Sequence, residues 1–124
     1  VNFLKLNGTD DIPEVMIDSD LSVFIIRGNS TPEDAISVYK PIVDWLSDKD
    51  CQLDNCRCEF FFRYLSSASH HFVFDILRQL DFMYIRGHQL SIIWKYEEID
   101  EDMLRLGMDF SSILQIHFDF QAIK

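Results

Sequence analysis

Three serines and two histidines, Ser66, Ser67, Ser69, His70 and His71, fall within one short stretch. They stand where an apolar run over residues 58–64 gives way to a helical pattern. In that pattern Phe72, Ile76, Leu77 and Leu80 share one side. A serine at a helix start meets unpaired backbone N–H groups, which favour an acceptor or an anion. Three kinds of chemistry suit it: a helix cap, a nucleophile served by a histidine, or a hydroxyl that accepts a phosphoryl group. Capping needs only one of the serines. A phosphoryl group would add about two negative charges and gain helix-end contacts, making or breaking a docking surface without refolding. A Ser–His catalytic pair has less behind it. No carboxylate with an orienting role can be inferred, and adjacent helical residues point in different directions. The chain has no G-x-S-x-G turn.

The elements that must position this cluster follow from periodicity. Residues 3–6 suit a short edge strand, and residues 15–17 and 21–27 a hairpin. Thr31 is placed as an N-cap, with Pro32 at the first helical position and Asp34 at the third. Ala35, Val38, Ile42, Trp45 and Leu46 then recur at helical spacing, and residues 47–57 form a polar loop. The strand at 58–64 and a helix over 66–84 come next, with Arg86-Gly87-His88 ending the helix. Residues 90–94 form a buried strand. The carboxylates of 97–102 suit the first turn of a helix that reaches about residue 110 and buries Met103, Leu106 and Phe110. Gly107 is expected to end or interrupt that helix, with a close packing contact as the explanation. In the last strand, over 113–123, His117, Asp119 and Gln121 alternate with Ile116, Phe118 and Phe120. Repeated strand–helix–strand units require a largely parallel sheet. The fold expected is α/β, one domain over residues 1–124, a mixed central sheet with helices mainly on one face.

Composition narrows the function. The 124 residues carry a formal net charge of −10, which repels nucleic acid and anionic lipid. No stretch is long and apolar enough to span a bilayer, and the first residues lack the basic and apolar regions of a signal peptide. The cytoplasm is the expected location. Cys51, Cys56 and Cys58 match neither C-x-x-C nor a zinc arrangement, so no metal or redox role is assigned. Four well-separated glycines make no phosphate loop, and no cofactor is expected. Phe60, Phe61 and Phe62 cannot all face one side of a strand. The acidic run Glu97, Glu98, Asp100, Glu101 and Asp102 suits a solvated face first and a metal site less well.

Four segments carry a family resemblance: GNSTPEDA at 28–35, YKPIVDWL at 39–46, YLSSAS at 64–69 and IIWKYEEIDEDMLRLGMDF at 92–110. Taken in this order they resemble the SiaC family of regulatory phosphoproteins over nearly the whole chain. The resemblance implies a fold related to the STAS-type anti-sigma-factor antagonists, with a regulated Ser or Thr at a helix start. It implies a non-enzymatic bacterial partner switch. A serine/threonine kinase of the histidine-kinase fold phosphorylates such a protein, and a PP2C-type phosphatase reverses this. The unmodified form binds and activates a diguanylate cyclase, favouring cyclic-di-GMP production and biofilm behaviour. The family's regulated position falls on Ser67, with Ser66 and Ser69 as alternative acceptors. Ser66, Ala68, Ser69, His70, His71, Glu101 and Asp102 are then the residues expected to meet partners. The chain departs from the family pattern at Ser66 (usually Asn), Ala68 (usually Ser) and Asp34 (usually an amide). Two rival readings stay open: a small hydrolase or transferase using Ser67 or Ser69 with His70 or His71, and a constitutive binding scaffold whose serines only cap the helix.

Overall fold

Alternation along the strands gives the sheet one apolar face and one mixed face, and that difference organises everything else. The computed structural model describes residues 3–31, 33 and 35–124. Its elements are β1 (Phe3–Leu6), β2 (Glu14–Asp18), β3 (Val23–Ser30), α1 (Ala35–Ser47), β4 (Cys56–Leu65), α2 (Ser67–Ile85), β5 (Leu90–Glu97), α3 (Glu101–Ile113) and β6 (Phe118–Ile123). The six strands lie in chain order, β1 to β6. The pairs β1–β2 and β2–β3 are antiparallel, and β3–β4, β4–β5 and β5–β6 are parallel. The sheet is therefore mixed, and its parallel part begins only at β3. The parallel strands always advance in the same direction across the sheet. Right-handed crossovers then put α1, α2 and α3 on one face. The order never reverses, so the sheet has no topological switch point and lacks the crevice where doubly wound folds seat ligands.

The covered face supplies the core. Ile17 and Ile26, Cys58, Phe60 and Phe62, and Ile92 and Trp94 are essentially fully buried there, with Phe118 close behind. They meet Tyr39, Ile42 and Leu46 of α1 and Val73, Ile76, Leu77 and Leu80 of α2. Trp94 stands at the centre, its ring 6.0 Å from Phe60 and 5.9 Å from Phe110, and its indole N–H donates to the Met103 carbonyl at 3.0 Å. Gly107 sits against the same indole: a Cβ there would fall 2.4 Å from Nε1. This close approach accounts for the glycine, and α3 runs through it without a break.

On the open face Phe61 is half-buried while Phe60 and Phe62 point into the core. Cross-strand ion pairs join Lys95 to Glu59 at 2.9 Å, Arg57 to Asp119 at 2.7 Å, and Arg27 to Glu14. Half-exposed charges matched in this way let a two-layer fold leave one sheet face to water.

Several boundaries differ from the sequence expectation. β4 starts at Cys56, whose N–H donates to the Gln89 carbonyl at 3.0 Å. β5 continues to Glu97 because Tyr96 and Glu97 find register partners in Ala122 and Ile123. α3 accordingly starts at Glu101, and it ends at Ile113, three residues past Phe110. β6 begins at Phe118 and not at 113, because Asp81 of α2 takes the N–H groups of Gln115 and Ile116 at 2.9 and 2.8 Å. The α2 terminus follows expectation. Gly87 has φ +109, with His88 N–H on the Met83 carbonyl and Gly87 N–H on that of Tyr84, a Schellman arrangement. At the start of α1 the expected roles of Pro32 and Asp34 lie outside the described residues. The Thr31 hydroxyl donates to Asp11 Oδ1 at 3.2 Å.

Candidate functional site

The junction between β4 and α2 is held by its parallel neighbour. Ser30 at the end of β3 is in register with Leu65 at the end of β4, and its carbonyl accepts the Ser66 N–H at 2.9 Å. A register shift at Gly28 and Asn29, with Gly28 at φ +114, brings the end of β3 into that position. Ser66 is the α2 N-cap residue, in extended conformation at φ −64 and ψ 152. Its hydroxyl makes no capping bond to a backbone N–H; it pairs instead with the Ser69 hydroxyl at 3.0 Å.

Ser69 is wholly buried, which corrects its expected place among the accessible acceptors and partner-facing residues. Its hydroxyl also accepts from Ser30 Oγ at 3.2 Å, and Ser30 Oγ is bonded in turn to the Tyr39 hydroxyl. A serine has one hydroxyl proton. Because Ser30 gives its proton to Ser69, Tyr39 is the donor to Ser30. The Tyr39 ring is fully buried and stacks on Phe72 at 5.8 Å. Burial pushes its phenol up to about 12, against the weaker lowering effect of the Ser30 and Ser69 bonds, so it stays protonated at neutral pH.

Ser67 is the first residue of α2 and is exposed. Among the described residues its hydroxyl makes no hydrogen bond. The first turn of α2 holds no acidic side chain. Its leading N–H groups therefore have neither a side-chain cap nor a built-in counter-charge. Beside Ser67 lies a groove of about 350 Å³. Arg63, Tyr64 and His70 line it from the β4–α2 side, and Asp100 and Asp102 from the start of α3.

The junction thus joins Ser67 to His70 and Asp102 of the expected set. Ser66 is half-buried at its edge and Ala68 is exposed. His71 is exposed outside the groove, its ring against Phe72 at 3.9 Å. Glu101 is exposed on another side of α3, next to Leu104, Arg105 and Met108. Arg63, Tyr64, Ser30 and Tyr39 join the site although no periodicity singles them out; Ser30, Tyr39 and Tyr64 do lie inside the segments that carry the family resemblance. Tyr64, 56% exposed, comes nearest to a local mark, as a large aromatic ending a strand beside the serines. No hydrogen bond joins Ser67 to His70 or His71 among the described residues, and Asp100 Oδ1 accepts the Met103 N–H at 3.0 Å. A hydroxyl–imidazole–carboxylate relay is not assembled.

Elsewhere, no group of three or more His, Cys, Asp or Glu among the described residues is arranged to hold a metal ion. Cys56 and Cys58 are free thiols inside the core, and burial pushes the Cys58 thiol up. No helix among the described residues is long and apolar enough to cross a membrane.

Known proteins share this architecture. The structure of apo-SiaC from Pseudomonas aeruginosa superposes with a TM-score of 0.88 at 23% identity, covering 98% of this chain and 100% of that one. SiaC in the crystal structure of the diguanylate cyclase SiaD with its activator SiaC, from the same organism, gives 0.87 at 24% identity, covering 97% and 99%. An uncharacterized protein of P. aeruginosa strain UCBPP-PA14 is 25% identical over 123 residues, 96% of this chain and 95% of that one. The family model described as SiaC family regulatory phosphoprotein matches residues 6–123. With the fold, the junction and this match in agreement, the chain belongs to the SiaC family of regulatory phosphoproteins.

Proposed function

We propose that the protein is a non-enzymatic partner switch in the bacterial cytoplasm, and that Ser67 carries its phosphoryl group. A serine/threonine kinase of the histidine-kinase fold adds the group and a PP2C-type phosphatase removes it. The unmodified form binds and activates a diguanylate cyclase, by analogy with the P. aeruginosa complex of the diguanylate cyclase SiaD and its activator SiaC. The observation that carries this reading is the exposed Ser67 hydroxyl, unbonded among the described residues, at the first position of a helix whose N-cap side chain makes no capping bond. An oxyanion there meets N–H groups that no side chain has filled. The same anion lies beside a groove shared by Arg63 and His70 with Asp100 and Asp102. About two added charges penalise any partner shaped for a neutral hydroxyl and the adjoining carboxylates.

The rival readings draw less support. Ser66 spends its hydroxyl on Ser69, so the serine cluster does not serve as an ordinary cap. Ser67 and His70 share a groove without a bond between them. The test is a comparison of cyclase capture by unmodified and phosphorylated protein, with intact mass recording the modification. Capture by the unmodified form alone supports the switch. Equal capture by both forms removes it, and phosphate uptake undiminished in Ser67→Ala removes the site.

A further inference from the structure

Three serines crowd one junction, yet two of them are occupied. Tyr39 Oη, Ser30 Oγ, Ser69 Oγ and Ser66 Oγ form a continuous file of hydroxyls that starts on α1, crosses the end of β3 and finishes in the first turn of α2. Tyr39, Ser30 and Ser69 have no exposed surface. Replacing these hydroxyls by apolar groups of similar shape would cost the core little. What the file adds over an apolar core is direction: it fixes where each hydroxyl in the first turn of α2 points. We propose that Tyr39 and Ser30 are positioning residues that select the phosphoryl acceptor, holding Ser69 inward and engaging Ser66 so that only the Ser67 hydroxyl is presented.

The proposal rests on the phosphorylation reading above and adds a cause for its site selectivity. In the transfer, the acceptor Oγ bonds to the γ-phosphorus of ATP and the bond from that phosphorus to the bridging oxygen breaks. ADP leaves, and the hydroxyl proton passes through the kinase to solvent. The acceptor Oγ must turn outward for in-line attack. Ser67 can do this as it stands. Ser66 must first give up its bond to Ser69, and Ser69 must leave the interior altogether. Cutting the file upstream, at Tyr39 or Ser30, leaves Ser69 free to turn and loosens its hold on Ser66.

The test uses the full chain, its cognate kinase and Mg-ATP, with phosphosites mapped by peptide mass spectrometry. The parent is expected to carry phosphate on Ser67. In a Ser67→Ala background the intact file keeps Ser66 nearly unmodified. Adding Tyr39→Phe or Ser30→Ala to that background raises the initial rate at Ser66 about fivefold, the weight of one typical net hydrogen bond. The two cuts together do no more than either alone, because they break one file. A merely structural role would lower the melting temperature without moving phosphate from one serine to another. Should Tyr39→Phe fail to fold, Ser30→Ala alone decides. Equal rates at Ser66 with the file intact and cut overturn the proposal while leaving Ser67 as the switch. A parent that takes no phosphate on Ser67 overturns both.

Discussion

Two helices start side by side at the C-terminal ends of neighbouring parallel strands, and their first turns are built in opposite ways. The start of α3 is complete: Asp100 caps it through the Met103 N–H, and Glu101 and Asp102 add charge in the first turn. The start of α2 has neither device. Its N-cap hydroxyl turns inward, and the next residue is an exposed serine. Both follow a parallel strand and both contribute to the same groove. A helix start carries a partial positive charge whatever its sequence. One helix brings its own anion, and the first turn of the other has none. The contrast supports the role proposed for Ser67, and each feature behind it can be perturbed separately.

The largest effect is expected at the hidden end of the α2 start. The folded protein holds the Tyr39 phenol near 12, against an ordinary value of 10.0. The unfolded chain then loses this proton first as pH rises. The stability contributed by keeping Tyr39 neutral is complete below pH 10 and falls away between pH 10 and 12. Two pH units correspond to about 3 kcal/mol. Urea unfolding across this range should show that loss in the parent and lack it in Tyr39→Phe. Parallel curves for the two proteins would mean that the hydroxyl file is not closed to solvent.

The next effect belongs to α3, whose anchoring keeps the capped start in place. Gly107→Ala puts a methyl group into the Trp94 indole, which Phe60, Phe62 and Phe110 hold on its other sides. Overpacking of about 3 kcal/mol is offset by roughly 1 kcal/mol of helix propensity, for a net loss near 2 kcal/mol in chemical denaturation. Direct comparison of the two caps comes third. Asp100→Ala should cost about 1 kcal/mol, an ordinary N-cap loss. In a Ser69→Ala background, where its hydroxyl bond is already gone, Ser66→Ala should cost less than half of that, because no backbone N–H depends on its hydroxyl. Equal losses would erase the distinction between the helix starts.

How much of the molecule is legible in its sequence depends on the range of the interaction. The core side of α2 is legible because Ile76, Leu77 and Leu80 repeat at helical spacing, and all three are buried. The acidic run does lie near a helix start, but composition does not say that Asp100 caps while Glu97 still belongs to a strand. The end of β5 escapes sequence reading because Lys95, Tyr96 and Glu97 look polar, and their place is decided by partners in β6. The start of β6 escapes it for a similar reason, since Asp81 reaches Gln115 and Ile116 from more than thirty residues away. At the site, local pattern points to the serine cluster of 66, 67 and 69, and the family resemblance alone singles out Ser67. Nothing local connects Ser30, Tyr39 and Ser69, although all three lie inside segments that carry the family resemblance. A hydrogen bond spanning 39 positions leaves no periodic trace.

The smallest effect bears most directly on the contrast. If the start of α2 is an unfilled anion position, Ser67→Asp should place there what α3 already has. A carboxylate in the first turn is worth about 0.5 kcal/mol at low ionic strength. The gain should shrink in 1 M salt, where the Debye length falls to about 3 Å, and vanish below about pH 4 as the carboxyl protonates. Ser67→Asn, similar in shape and uncharged, separates charge from packing. Asp100 and Asp102 across the groove work against the gain, so its sign at low salt is informative. A stabilised Ser67→Asp means that the helix end outweighs the facing carboxylates and that a phosphoryl group can settle on α2. A destabilised one, relieved by salt, means that the groove carboxylates dominate. Phosphorylation would then act chiefly by pushing the two helix starts apart, and the groove, not the helix end, would be the element that partners read.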